Sequence, residues 1–206
     1  MLTNICYSFR KTRERQIKGF STVELSLVLA VILIVAAIAI PNSVQAWYNM
    51  QLRSGAAQVS NLVQQARMLA AKKNATYPIR YVVVNGIQEV YIDLNNSGTL
   101  NPGEPLVSLS RVTAASGAPS GGSGQPGPYV LTGDTSSGTP FSNTNILAFS
   151  PRGLPCNYSN PPACTTPAAS YFVYYFQNGR PNGWAAVLVT KAGRSKILTW
   201  NGSSWN

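Results

Sequence analysis

Between Leu25 and Ile40 the chain carries sixteen consecutive uncharged residues, all apolar except Ser26. Such a run must be buried, in a core or in a bilayer. Counted from Phe20, the stretch is 21 residues, about 31 Å of helix at 1.5 Å per residue, enough to cross a hydrocarbon core. Arg10, Lys11, Arg13, Arg15 and Lys18 precede it and no basic residue interrupts it, which orients the N-terminus to the cytoplasm. One carboxylate, Glu24, stands at the mouth of the segment. A charge in hydrocarbon costs about 2.5–3.5 kcal/mol on insertion scales, so an acid at this place points to function.

The residues around Glu24 narrow that function. Gly19-Phe20-Ser21-Thr22-Val23-Glu24-Leu25 resembles the processing site of type IV prepilins and type II secretion pseudopilins. The resemblance implies that a prepilin peptidase cuts between Gly19 and Phe20 on the cytoplasmic side and N-methylates the new Phe20 amine. It also implies that Glu24 pairs with the terminal amine of a neighbouring subunit during assembly. The physics agrees, because a buried carboxylate needs a cationic partner and a chain terminus at the same depth supplies one. Pro41 stands where many pilins carry a helix-kinking proline. A secretory signal cleaved after Val44-Gln45-Ala46, or a plain N-terminal anchor, would also explain the basic flank and apolar run. Neither accounts for Gly19, Phe20 and Glu24 together.

The 206 residues allow one modest domain plus an anchor. The formal charge is +10, and loss of residues 1–19, with five basic residues and Glu14, leaves +6. Of the three cysteines, Cys6 lies in the leader. Cys156 and Cys164 flank a loop containing Pro161 and Pro162. In an oxidising periplasm this pair forms a disulfide that closes a short loop, with two reduced thiols as the alternative. The chain has no histidine, and two thiolates alone make a poor zinc site.

Beyond Pro41 the pattern stays helical but becomes one-sided. Val44, Trp47, Leu52, Ala56, Val59, Leu62, Val63, Ala66, Leu69 and Ala70 recur at three- and four-residue steps, with polar residues mostly between them. Lys72 and Lys73 suit the negative end of a helix dipole and Asn74 can cap it. One helix from about Ser21 to Lys73, bent near Pro41, is therefore expected. From Tyr77 the pattern turns to β. Strands are expected over 77–84, 87–93, 106–112, 145–150, 171–177, 184–190 and 194–200, with hairpin signals at Asn85-Gly86, Asn182-Gly183 and Ala192-Gly193. Residues 114–128 read as a Gly/Ser/Pro surface loop. The expected fold is α+β, a long helix packed on an antiparallel sheet. Its parts are a leader (1–19), a transmembrane half-helix (20–41), an amphipathic half-helix (42–74) and a β-rich periplasmic domain (75–206).

Three further segments resemble the GspH/FimT family of minor pseudopilins. They are Leu147-Ala148-Phe149-Ser150-Pro151-Arg152-Gly153, Val187 to Arg194, and Asp93-Leu94-Asn95-Asn96-Ser97-Gly98 followed by Gly103-Glu104. The insert at 114–128 and the Cys156–Cys164 loop depart from that pattern. The resemblance implies a pilin-like fold in the inner membrane, N-terminus cytoplasmic. It implies a role in assembling the pseudopilus of a type II secretion system. The implied partners are other pseudopilins or minor pilins, the prepilin peptidase, an inner-membrane assembly platform, and secreted cargo or DNA.

Two clusters invite ligands. Asp93, Asn95, Ser97 and Glu104 have the spacing of an EF-hand calcium loop. The other reading is a hairpin whose Asp and Asn side chains bond local backbone, with Gly98 at positive φ. Lys191, Arg194 and Lys196 surround the Ala192-Gly193 turn, near Trp200 and Trp205. Turn-borne cations can reach phosphates and an aromatic can stack on a base, and some FimT-type members take up DNA through a basic turn at this end. A solvated basic face is the alternative. An enzyme is not expected. After Glu24 the acids are Glu89, Asp93, Glu104 and Asp134, and no Gly-x-Ser-x-Gly elbow or P-loop occurs.

Overall fold

Helix α1 runs from Thr22 to Lys73, 52 residues. A computed structural model of the chain describes residues 19–115, 119, 139–140, 146–158, 164–165, 172–180 and 182–206. Most of the expected leader and of the Gly/Ser/Pro loop lie outside the described residues. The chain divides into two compact units, Met1–Ser43 and Val44–Asn206.

In the first unit, the described part of α1 is apolar on every side. It is long and apolar enough to cross a membrane, and none of its most apolar window is buried. Glu24 lies in the first turn, where the helix dipole favours a carboxylate.

In the second unit, α1 is one-sided. Leu52, Ala56, Val59, Leu62, Val63, Ala66 and Ala70 are buried, whereas Val44 and Trp47 are exposed. The packed stripe therefore begins at Leu52, later than the periodicity alone suggests. The helix ends in a left-handed cap: Asn74 has φ 51° and the Ala75 N–H donates to the Ala70 carbonyl at 3.2 Å. That is the Schellman arrangement, in which an Asn tolerates the positive φ.

Two sheets follow instead of one. The first contains β1 (Tyr77–Val84), β2 (Ile87–Ile92), β3 (Leu106–Leu109), β6 (Ile146–Phe149), β7 (Pro155–Tyr158) and β8 (Cys164–Thr165), in the order β3-β2-β1-β6-β7-β8. The second contains β4 (Thr113–Ala115), β9 (Phe172–Gln177), β10 (Trp184–Val189) and β11 (Ser195–Thr199), in the order β11-β10-β9-β4. β5 (Thr139–Pro140) pairs with β9 in parallel; the other ladders are antiparallel. Asn85 and Gly86, both at positive φ, make the two-residue turn that joins β1 to β2.

Strand alternation sends side chains from both sheets to the helix. Ile79, Val90, Ile92, Leu147 and Phe149 from the first sheet share one buried cluster with Phe172, Tyr174, Phe176, Ala185, Val187 and Val189 from the second. The helical stripe belongs to the same cluster. The opposite face of the second sheet is covered by the chain's last residues. Trp200 and Trp205 pair as a bridge and pack with Val173, Tyr175, Ala186, Leu188 and Leu198. The fold is thus α+β, with the helix packed on antiparallel sheets.

Candidate functional site

Gly19 and Phe20 precede the helix outside any helix or strand, and Phe20 is 80% exposed. The Gly19–Phe20 peptide bond, the expected cleavage point, therefore lies outside regular structure. The Leu25 N–H donates to the Ser21 carbonyl at 3.0 Å, which starts the helix just before Glu24.

In the second unit, segments 147–153 and 187–194 meet. Each closes a hairpin with the same turn. Gly153 N–H donates to the Ser150 carbonyl at 2.8 Å, and Gly193 N–H to the Thr190 carbonyl at 2.7 Å. Ser150 N–H then donates to Leu154, and Thr190 N–H to Arg194, both at 2.9 Å. The third loop residue is left-handed in each, with φ 70° at Gly153 and 74° at Gly193. This is a three-residue loop in which glycine takes the positive φ without cost.

Arg67, on α1, ties both loops to the helix. Its Nε donates to the Gly153 carbonyl at 3.1 Å and its Nη1 to the Gly193 carbonyl at 3.3 Å. Gln64, one helical turn earlier, donates to the Gly193 carbonyl at 3.2 Å and to Ser195 Oγ at 3.0 Å. Ser60 Oγ lies 2.8 Å from Ser195 Oγ. A Cβ on Gly193 would sit 3.3 Å from the Gly153 carbonyl and 3.2 Å from Arg67 Nε, so no larger residue fits the junction comfortably.

The two tips carry Arg152, Lys191, Arg194 and Lys196, all exposed. Sequence reasoning singled out the last three and missed Arg152 and Arg67. Arg152 sits in a Pro-Arg-Gly turn, and two basic turns in one chain were the available signal. Trp200 and Trp205, expected to offer stacking faces, are only 7% and 5% exposed. They are committed to the second cluster, where their ring centroids are 5.3 Å apart.

The loop from Asp93 to Glu104 is built from hydrogen bonds to its own backbone. Asp93 is wholly buried. Its Oδ1 accepts from Ser97 N–H at 3.0 Å, and its Oδ2 from Gly98 N–H at 2.9 Å and Arg80 Nε at 2.9 Å. Glu104, also buried, accepts from Leu94 N–H and Asn101 N–H at 2.9 and 2.8 Å. Asn95 Oδ1 accepts from Ser97 N–H at 3.0 Å, and Ser97 Oγ from Asn101 Nδ2 at 2.7 Å. Gly98 has φ 78°. These are the bonds of a locally satisfied turn. A calcium ion here would have to displace a guanidinium and four backbone N–H donors. No group of three or more His, Cys, Asp or Glu side chains gathers among the described residues. Burial, then the Asp93 carboxylate, pushes the Tyr91 phenol above its ordinary value, and that phenol donates to the Gly98 carbonyl at 3.2 Å.

Cys156 and Cys164 form a disulfide with their Cα atoms 5.5 Å apart, as expected for the pair. Cys156 packs with Ile146, Ala148 and Tyr158 on the outer face of the first sheet, so the bridge holds β8 at that sheet's edge.

Compared with known proteins, the chain matches no family model, no curated protein and no solved structure.

Proposed function

We propose that the chain is a minor pseudopilin of the GspH/FimT family with a pilin-like fold, acting in assembly rather than catalysis. Its apolar half-helix waits in the inner membrane with the N-terminus cytoplasmic and the β-rich unit periplasmic. After cleavage at Gly19–Phe20, Glu24 meets the amine of a neighbour's Phe20, and the subunit enters the pseudopilus of a type II secretion system. The observation that carries this reading is a junction. Segments 147–153 and 187–194, two of the stretches that resemble the family, are pinned side by side on one helix by Arg67. That same helix starts at the processing motif.

Glu24→Ala tests the mechanism in cells that assemble the filament. The variant is expected to reach the membrane at the parent level but to drop out of sheared or cross-linked filaments. Normal assembly of Glu24→Ala would remove the pairing role.

The junction also supports a second reading, a type IV minor pilin that binds DNA for uptake. Arg152 joins Lys191, Arg194 and Lys196 at one place on the surface. Phosphate contacts of this kind weaken steeply with salt. Salt-dependent DNA binding by the full chain, lost in Arg194→Ala with Lys196→Ala, would favour it; binding unchanged in that double variant would end it.

A further inference from the structure

Chain length sets where the second unit begins to meet lipid. The hydrocarbon core is about 30 Å thick and takes about 20 helical residues to cross. Counted from Leu25, the first residue after the carboxylate, these end at Val44. Trp47 and Tyr48 follow, about 5 Å further along the helix, at the depth where Trp and Tyr collect in membrane proteins. Trp47 is 49% exposed and Met50 69%, so each keeps much of its surface outside the packing of the unit.

Two arginines of the β-rich unit reach this single helical turn. The Arg111 guanidinium, from the β3–β4 connection, lies 5.0 Å from the centre of the Trp47 ring. The Arg180 guanidinium, from the β9–β10 turn, lies 4.2 Å from the centre of the Tyr48 ring. Stacking engages the face of a guanidinium and leaves its N–H edge for an anion. Arg53 joins Arg180 in lining a groove of about 550 Å³, with Gln45, Asn49 and Trp184. Among the described residues, no Asp or Glu side chain lines that groove. The acids after Glu24 are residues 89, 93, 104 and 134, and two of them, Asp93 and Glu104, are buried in their own loop.

We infer that Arg53, Arg111 and Arg180, set around Trp47 and Tyr48, form a collar that docks on the anionic phospholipid headgroups of the periplasmic leaflet. The rings sit at headgroup depth, and the guanidinium edges take lipid phosphates in charge-assisted hydrogen bonds. The collar rests on the membrane-anchored reading and is independent of the family. It would hold the β-rich unit against the bilayer, and in a subunit that assembles into a filament extraction would have to break those contacts.

The test uses the full chain in nanodiscs of phosphatidylcholine alone and of phosphatidylcholine with phosphatidylglycerol. Phenylglyoxal modification is followed at each arginine by mass spectrometry. Each guanidinium near an anionic surface gains about fivefold in local lipid association. Modification of Arg53, Arg111 and Arg180 is therefore expected to slow about fivefold when phosphatidylglycerol is present, and Arg152 and Arg194 at the hairpin tips are expected to slow less. Equal rates in the two lipids, equal slowing at Arg152 and Arg194, or the same protection from inorganic phosphate in phosphatidylcholine alone would each overturn the collar. A chain that enters neither nanodisc overturns the membrane reading and the collar together.

Discussion

Arg67 reaches from α1 to two turn carbonyls, so its loss takes the side-chain donor from Gly153 and leaves the Gly193 carbonyl to Gln64 alone, while both glycines keep their positive φ. Hydrogen bonds that involve a charged group contribute about 1.5–3 kcal/mol each. Arg67→Ala is expected to lower the unfolding free energy by about 2 kcal/mol in chemical denaturation. Arg194→Ala, on an exposed tip, should stay within about 0.5 kcal/mol; equal losses in the two would mean that Arg67 is not the pin. The buried tyrosines carry a separate signature. Burial raises the phenols of Tyr91, Tyr158 and Tyr174, with the Asp93 carboxylate adding to the rise at Tyr91 and Tyr158. A raised folded value favours the neutral phenol in the fold. Its stabilisation is whole below the ordinary value of about 10 and is lost as pH climbs through and beyond it. The melting temperature should therefore carry no tyrosine-dependent slope between pH 7 and 9 and fall above about pH 10, and Tyr174→Phe should flatten that fall. A slope in Tyr174→Phe as steep as the parent's would assign the alkaline transition to other groups.

Among the elements, those with local chemistry of their own were legible in the sequence. Lys72, Lys73 and Asn74 marked the helix end, and Asn85-Gly86 marked the tightest hairpin, because capping and two-residue turns depend on a few adjacent residues. β7 was missed. Pro155 opens it and Asn157 sits within it, a composition that reads as loop, although a strand tolerates proline at its first position. β4 is three residues long and has too few side chains to show a period. The division into two sheets was hidden for another reason: it depends on which non-adjacent strands pair, such as β1 with β6. The disulfide holds β8 to β7. By loop-entropy reckoning a bridge across a separation of eight residues stabilises by about 2.5 kcal/mol. Cys164→Ser is expected to lower stability by about that amount under oxidising conditions and to match the reduced parent. A variant as stable as the oxidised parent would leave the bridge without a structural role.

For the molecule as a whole, the sequence located the ends of the candidate site better than its middle. Glu24 could be picked out because a single acid at the mouth of an apolar segment has few structural explanations, and Gly19 and Phe20 because the motif around it resembles a prepilin processing site. Lys191, Arg194 and Lys196 could be picked out as a cluster along the chain. Arg152 joins them only through the fold, since its turn and theirs are 40 residues apart and meet on Arg67. Trp200 and Trp205 look like stacking surfaces in sequence and are core in the structure, because what covers the outer face of the second sheet is the last turn of the chain itself. The central claim is that the apolar helix belongs to an assembling pilin-like subunit and is not a cleaved signal or a plain anchor. Mass spectrometry of the N-terminus of the protein from its native host tests this most directly. The account predicts a chain that begins at Phe20 with a methylated amine. A chain that begins at Trp47, or one that retains residues 1–19, would contradict it.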